Sequence, residues 1–393
     1  MLTLPVAVPK QISAGPKATA SSPEPRIRGL DGLRAFSITL VLLAHVSGTR
    51  NFVLPQVILH FPWPIHLGML GVRVFFVISG FLITSLLLTE ARKTGTISLG
   101  RFYFRRTLRI FPAYYLYVAV VSALYFAGVV SLNKGDIVHA LTYSVNYHPK
   151  RAWYLGHAWS LAVEEQFYLL WPALFRWLGE SRSRKALLGY IMIAPLWRMG
   201  VALLMPKQMN GIGETFFTTA DALACGCLLT LGRQQLLANS SYRRFIDSRL
   251  WALTIPAVFT LSVLGFSAKF RWLIGSSAQN VLIALLIERV TRNDQGCLAA
   301  VLNSRPVVLL GLWSYSVYLW QQLLLNRGVQ HLWLTAFPVN LFVCLMLAAM
   351  SYYLIEQPFL RLRQRLELRL MPRKSSPTAK LLEDGLSQGL QAH

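Results

Sequence analysis

The chain has 393 residues, of which 54% are hydrophobic and only 14% are charged, and its mean hydropathy is +0.45. Soluble domains carry about a quarter charged residues, so the composition excludes an ordinary water-exposed protein. The 26 glycines, 19 prolines and 12% aromatic residues also exclude a disordered or fibrous chain. The composition therefore predicts an all-α, polytopic transmembrane bundle.

The formal net charge of +23 comes from 39 basic and 16 acidic residues. Such a balance can indicate nucleic-acid binding, but here the charges form short clusters between apolar runs, as in the cytoplasmic loops of membrane proteins. We therefore expect lipid and no nucleic acid as a partner. The four cysteines include a Cys225-Gly-Cys227 pair whose spacing does not fit a zinc or redox site, so no metal is expected.

Three segments are predicted along the chain. Residues 1–25 form a flexible proline-rich tail, residues 26–360 the transmembrane domain, and residues 361–393 a basic, partly flexible tail. About ten apolar stretches approach the ~20 residues that a spanning helix needs. They lie at 30–48, 68–89, 110–131, 158–178, 186–205, 215–232, 250–267, 272–290, 306–327 and 334–356.

The distribution of Lys and Arg predicts the orientation of these spans. If the N-terminus lies inside, the inner segments carry 26 basic residues and the outer segments carry 7. Because cytoplasmic loops are enriched in basic residues, both termini are expected in the cytoplasm. The expected location is the cytoplasmic (inner) membrane.

Charged side chains at membrane depth are candidates for function, because their insertion costs about 2.5–3.5 kcal/mol each. In the first span, Arg34 and His45 are eleven residues apart, which places them on one helix face with a separation of about 16 Å along the axis. His45 could take up a proton near neutral pH. An equally weighted alternative is a core histidine bonded to a backbone carbonyl.

The fourth span carries Ser160, Glu164 and Tyr168 at a spacing of four, which forms a polar stripe. Glu165 is rotated by about 100° from Glu164, so a glycosidase-like carboxylate pair is not expected. One carboxylate is expected to face the site and the other to hold a neighbouring helix. For Asp221, another charge inside the bundle, structural pairing is the favoured interpretation.

The segment after the second span contains Arg105, Arg106 and Arg109 among aromatic residues. One interpretation is an interfacial helix whose arginines contact anionic lipid. The other is a clamp for a phosphorylated ligand, because guanidinium binds phosphate in a bidentate manner. Taken alone, the segment favours the lipid interpretation.

Together these blocks resemble the acyltransferase 3 family of membrane O-acyltransferases. The matching stretches follow in order along almost the whole chain. They are GLDGLRAFSITLVLLAHV (29–46), GVRVFFVISGFLIT (71–84), RFYFRRTLRIFPAYY (101–115), WSLAVEEQFYLLWP (159–172), DALACG (221–226), SYSVYLWQQ (314–322) and SYYLIEQPF (351–359).

The resemblance implies transfer of an acyl group, usually acetyl from acetyl-CoA, to a hydroxyl of a carbohydrate or glycoconjugate. The essential histidine of the family corresponds to His45, and its glutamate pair to Glu164 and Glu165. Its arginine cluster corresponds to Arg105, Arg106 and Arg109, which then look like a site for CoA phosphates. Supporting positions are Arg34, Ser160, Tyr168 and Asp221. Many members have His where this chain has Gln321, so no acid–base role is assigned there.

The leading hypothesis is a membrane O-acyltransferase in which His45 acts as general base and Glu164 orients its imidazole or stabilises the protonated form. A covalent acyl-histidine relay is a variant of this mechanism. The alternative is a proton-coupled secondary transporter or a polysaccharide-exporting permease, whose His, Glu and Asp residues would relay protons. Against that alternative, the two halves lack a corresponding pair of broken helices.

Overall fold

The computed structural model describes residues 27–52, 63–204, 214–263, 270–292, 295–329 and 332–370. These residues form helices and no strands, which confirms the prediction of an all-helical fold. The predicted tail at 1–25 and the last 23 residues of the chain lie outside the described residues.

The α-helices are numbered here in chain order. They are α1 (Leu30–Val46), α2 (Trp63–Thr94), α3 (Leu99–Phe126), α4 (Asp136–Leu141), α5 (Trp153–Gly156), α6 (Ala158–Leu204), α7 (Phe216–Thr219), α8 (Asp221–Ala238), α9 (Ser240–Asp247), α10 (Thr254–Val263), α11 (Ser276–Arg292), α12 (Cys297–Leu302), α13 (Arg305–Leu324), α14 (Val339–Ser351) and α15 (Gln357–Leu370). Short 3-10 turns lie at Val145–Tyr147, Arg249–Leu253 and Trp333–Thr335, and π-helical turns at Arg271–Gly275 and Tyr352–Glu356.

Six described helical segments are long and apolar enough to cross a membrane. They are His66–Thr94, Leu99–Phe126, Trp153–Leu204, Leu273–Arg292, Arg305–Leu324 and Val339–Glu367. The structure therefore supports a membrane bundle but does not confirm the count of ten spans or the location of the termini.

Three of the four spans by which the two counts differ have identifiable causes. The predicted spans 158–178 and 186–205 fall within α6, where Gly179 has a non-helical backbone (φ 70°, ψ 178°) and divides the helix into two segments. Helix α1, which holds the first predicted span, is only 17 residues long. The predicted span at 250–267 corresponds to a shorter apolar helix at Arg249–Ser262.

Helix α1 lies at the centre of the packing, between α2 and α13. Two contacts show that α1 and α13 run parallel: Gly311 approaches Asp31 near the start of both helices, and Gln322 approaches His45 near their ends. The segment 361–370, predicted as part of a tail, continues the last apolar stretch as α15 and packs against α3.

Glycine allows α2 and α8 to approach each other closely. A Cβ atom on Gly80 would lie 2.0 Å from the carbonyl oxygen of Leu223, and one on Gly226 would lie 2.0 Å from the carbonyl oxygen of Val77. Small residues at such crossings are typical of membrane helices, because close packing replaces the hydrophobic effect as the force between helices.

We expect the Gly226→Ala substitution to lower the free energy of unfolding by about 1–3 kcal/mol, because the added methyl group forces α2 and α8 apart. Gly189→Ala is the matched control, since nothing lies within 4 Å of a Cβ atom at that position. The measurement is the thermal unfolding midpoint of both proteins in the same detergent. Equal midpoints would contradict the close helix contact.

Candidate functional site

His45 lies near the C-terminal end of α1, partly buried, with its two ring nitrogens in different surroundings. Its Nδ1 lies 2.9 Å from the carbonyl oxygen of Val41, one turn earlier. A carbonyl oxygen can only accept, so Nδ1 carries the proton and Nε2 keeps its lone pair. Nε2 lies 3.5 Å from Nε2 of Gln322, which donates to it weakly. The bond to the Val41 carbonyl is the one expected of a core histidine, and it leaves Nε2 directed away from its own helix.

Two further side chains surround this imidazole. The ring of Trp153 meets it edge to face, with centroids 5.5 Å apart. Arg327 donates hydrogen bonds to the carbonyl oxygen of Ala44 and, at 3.4 Å, to Oγ of Ser47. A cation at the C-terminal end of α1 is favourable because the helix dipole is negative there.

His157 is buried just before α6 and contacts the glutamine that approaches His45. Its backbone N–H donates to Oε1 of Gln322 at 3.1 Å, and its Nδ1 lies 2.8 Å from the same oxygen. Its Nε2 lies 3.1 Å from the carbonyl oxygen of Leu319. One glutamine of α13 therefore links His157 to His45, and this link joins α1, α13 and the start of α6.

Ser160 belongs to this side of the bundle. Its hydroxyl lies 2.7 Å from the hydroxyl of Tyr318, and both hydroxyls lie within hydrogen-bond distance of the carbonyl oxygen of His157. The polar stripe predicted along α6 is thus divided in space, because Ser160 contacts α13 whereas Glu164 and Tyr168 contact each other.

Glu164 accepts hydrogen bonds from Ser79 of α2 at 2.5 Å and from the hydroxyl of Tyr168 at 3.3 Å. The guanidinium of Arg106 lies over the Tyr168 ring, 3.9 Å from its centroid, in a cation–π contact. The hydrogen bonds of His45 go to Val41 and Gln322 and not to Glu164. Glu164 therefore bonds Ser79 and Tyr168, beside Arg106, and does not bond the imidazole.

Glu165 faces different surroundings, as the rotation between successive helical residues requires. Within the part of the chain that the structure describes, it forms no hydrogen bond or ion pair. Its carboxylate interacts electrostatically with Arg106 and with the hydroxyl groups of nearby tyrosines. The two adjacent carboxylates thus have only Arg106 as a shared charged neighbour.

The predicted arginine cluster of α3 separates into two parts. Arg105 forms an ion pair with Glu367 of α15. Arg109 is exposed, and its charged neighbours are Arg34, Arg106, Arg363 and Glu356. Arg34, Arg106 and Arg363 thus lie within electrostatic range of Arg109, and we call these four residues from α1, α3 and α15 the arginine site (Arg34, Arg106, Arg109 and Arg363).

Asp221 belongs neither to the surroundings of His45 nor to the arginine site. It is fully buried and forms an ion pair with Arg198 at 2.9 Å, while Ser277 donates to the same carboxylate oxygen at 3.1 Å. Arg73 lies close by and donates to Asn280 and Ser276. These contacts give Asp221 a structural partner, in line with the interpretation favoured from the sequence.

Sequence reasoning did not assign His157, Gln322, Arg327 or Arg363. The Gln321–Gln322 pair in an apolar span was a polar signal that could have identified Gln322. Arg363 lies in a segment interpreted as a tail. Across the described ranges, no group of three His, Cys, Asp or Glu residues is arranged to hold a metal ion.

A comparison with known proteins identifies the family. The profile of the acyltransferase domain matches residues 27–356. The chain belongs to the acyltransferase 3 family. This match confirms the resemblance drawn from the sequence blocks, and together with the six apolar helices it makes the chain a multi-pass membrane protein.

The chain is also similar to named O-acetyltransferases. It is 27% identical to O-acetyltransferase OatA of Staphylococcus aureus strain MRSA252 over 90% of this chain and 60% of the relative. It is 25% identical to peptidoglycan O-acetyltransferase OatA of Listeria monocytogenes over 75% of this chain and 48% of the relative. The chain thus spans about half to three fifths of these relatives. No solved structure matches it.

We expect Asp221→Ala to lower the free energy of unfolding by about 3–5 kcal/mol, because it leaves Arg198 as an uncompensated buried charge. The double variant Asp221→Leu with Arg198→Met removes both charges and should recover most of this loss. Thermal unfolding in detergent measures both effects. An Asp221→Ala protein as stable as wild type would show that the ion pair has no structural role.

Proposed function

We propose that this chain is a membrane O-acyltransferase that moves an acyl group, acetyl from acetyl-CoA, to a hydroxyl of a carbohydrate or glycosylated acceptor. The observation that carries the proposal is the state of His45. Its Nδ1–H is held by the Val41 carbonyl, which leaves Nε2 as a base beside the polar residues of α13. A base of this kind removes the proton of a hydroxyl as the hydroxyl attacks a thioester.

The arginine site is the proposed binding site for the donor phosphates. The Nε–H groups of Arg106 and Arg363 are buried and have no hydrogen-bond partner among the described residues. Guanidinium donors without partners suit phosphate oxygens. Arg105 contributes through its ion pair with Glu367, which holds α15 against α3.

Helix α1 runs from the arginine site to His45, and the proposed path of the donor follows it. It is continuous from Leu30 to Val46, so Arg34 and His45 lie about 16 Å apart along its axis. A donor held by its phosphates at the arginine site would extend its pantetheine arm along α1 and bring the thioester to His45. In the proposed orientation, with about ten spans and both termini in the cytoplasm, the arginine site faces the cytoplasm of the inner membrane.

Glu164, Glu165 and Asp221 have separate roles in this scheme. Glu164 positions Arg106 through the Tyr168 contact. Glu165 adds negative charge beside the same arginine and limits the net positive charge of the donor site. Asp221 stabilises the bundle. The acceptor class follows from the relatives named peptidoglycan O-acetyltransferases, so we propose a cell-wall glycan as the acceptor.

We expect His45→Ala to lower kcat for acetyl transfer by about 10²–10⁴-fold, which is the range for a lost general base. The assay follows labelled acetyl from acetyl-CoA to soluble peptidoglycan glycan strands with purified protein in detergent. His66→Ala is the control, because His66 contacts Arg271 instead. Full activity of the His45→Ala protein would refute the base assignment, and proton-coupled flux without release of CoA would favour a transporter.

We expect Arg106→Ala to raise the KM for acetyl-CoA roughly tenfold to over a hundredfold, because a charged hydrogen bond contributes about 1.5–3 kcal/mol. Arg106→Lys should recover only part of this loss, since ammonium lacks the bidentate fork. Arg92→Ala, which removes a surface partner of Glu180, should leave the KM unchanged. If neither Arg106 variant changes the KM for the donor, Arg106 contacts lipid and not CoA.

A further inference from the structure

Gln321, near the C-terminal end of α13, is fully buried, and neither atom of its side-chain amide has a hydrogen-bond partner within the described part of the chain. Its neighbour Gln322 is also buried but bonds His157 and His45. Of these two adjacent glutamines in one apolar helix, Gln322 is therefore hydrogen-bonded within the described residues and Gln321 is not. An unpaired buried amide is costly, and most buried polar groups in proteins have partners.

The position of Gln321 in the fold indicates which group its amide can contact. Its side chain lies beside the imidazole of His45 and interacts with it as a polar neighbour, without a hydrogen bond of normal geometry. The Nδ1–H of that imidazole is already held by Val41, and its Nε2 is approached by Gln322. The Nε2–H₂ group of Gln321 is thus a donor near the base that forms no hydrogen bond within the described residues.

The proposed reaction still needs a hydrogen-bond donor for the acyl carbonyl oxygen, and the Gln321 amide can supply one. Attack of a hydroxyl on a thioester converts the carbonyl oxygen into an oxyanion, which needs a preorganised donor. His45 accounts for the proton, and the arginine site lies about 16 Å away along α1, too far to contact the reacting carbonyl. A neutral N–H donor fixed in a dry environment is effective in this role, because it does not have to reorganise during the reaction.

Resting on the proposed function, we propose that Gln321 is a catalytic residue whose Nε2–H₂ donates a hydrogen bond to the acyl carbonyl oxygen as it becomes an oxyanion. The acceptor oxygen bonds to the acyl carbon, its proton passes to Nε2 of His45, and the carbonyl electron pair moves onto the oxygen held by Gln321. When the oxyanion collapses, the C–S bond breaks. The leaving thiolate takes the proton from the imidazolium, which yields the ester and free CoA.

The test is the Gln321→Met variant, which keeps an unbranched side chain of similar length but removes the donor. The assay uses acetyl-CoA and soluble peptidoglycan glycan strands with purified full-length chain in detergent. We expect kcat to fall by about 10²–10³-fold, as for the loss of one oxyanion donor, with the KM for both substrates within about threefold of wild type. The thermal unfolding midpoint should equal or exceed that of wild type, because no hydrogen bond of the fold is lost.

Gln322→Met is the matched variant, because it removes the bonds to His157 and should lower the unfolding midpoint. A Gln321→Met protein that is destabilised to the same extent would show that Gln321 is structural and would overturn the proposal. So would a kcat within threefold of wild type, or an effect confined to the KM for the acceptor. If the wild-type protein transfers no acetyl group, the proposed function itself fails. If the wild type is active and the His45→Ala protein is inactive, the proposed function holds, and an unchanged kcat of Gln321→Met then contradicts the Gln321 proposal alone.

Discussion

The packing of α1 between α2 and α13 is the contact on which the rest of the site depends. Glycines let the helices approach to backbone distance: a Cβ atom on Gly311 would lie 2.0 Å from the carbonyl oxygen of Asp31, and one on Gly71 would lie 2.5 Å from that of Ser37. Because α1 carries Arg34 near one end and His45 near the other, this packing fixes both ends of the site at once. A shift of α1 by one turn would separate His45 from Gln322 and Arg34 from the arginines of α3 and α15.

Because the bundle interior has low polarity, it matters whether each buried polar group is paired within the protein or lacks a partner. A buried charge without a partner is expensive, so groups with a structural role are paired within the fold, as Arg198 and Asp221 are. Groups proposed to bind a ligand can lack a partner within the protein itself. The Nε–H groups of Arg106 and Arg363 and the amide of Gln321 have that property among the described residues. Unpaired buried atoms also occur elsewhere in the bundle, for example Oδ1 of Asp221, so the two ends of the proposed acyl path depend on the other contacts of these residues as well.

The sequence predicted the features that depend on composition and on spacing within one helix. The helical class follows from the apolar runs, and the shared face of Arg34 and His45 follows from eleven residues of continuous helix. Contacts between helices could not be predicted in this way. The partners of His45, which lie on α13 and before α6, are distant in sequence, and the arginine site includes Arg363 because α15 folds back onto α3. The number of spans is not confirmed, because the length of α1 and the break at Gly179 depend on packing.

The way in which His45 is held has a consequence for the proton in the proposed reaction. In the Ser-His-Asp arrangement a buried carboxylate orients the imidazole and stabilises its protonated form. Here a backbone carbonyl of the same helix orients the ring, while Glu164 is engaged by Ser79 and Tyr168. The charged side chain beside this end of α1 is the cation Arg327, which bonds Ala44 and Ser47. Among the described residues His45 forms no bond to an anionic side chain, so in the proposed reaction an imidazolium is best stabilised by the oxyanion formed in the same step. Proton removal and carbon–oxygen bond formation therefore support each other, and the proton is driven onward to the leaving thiolate rather than stored on the histidine.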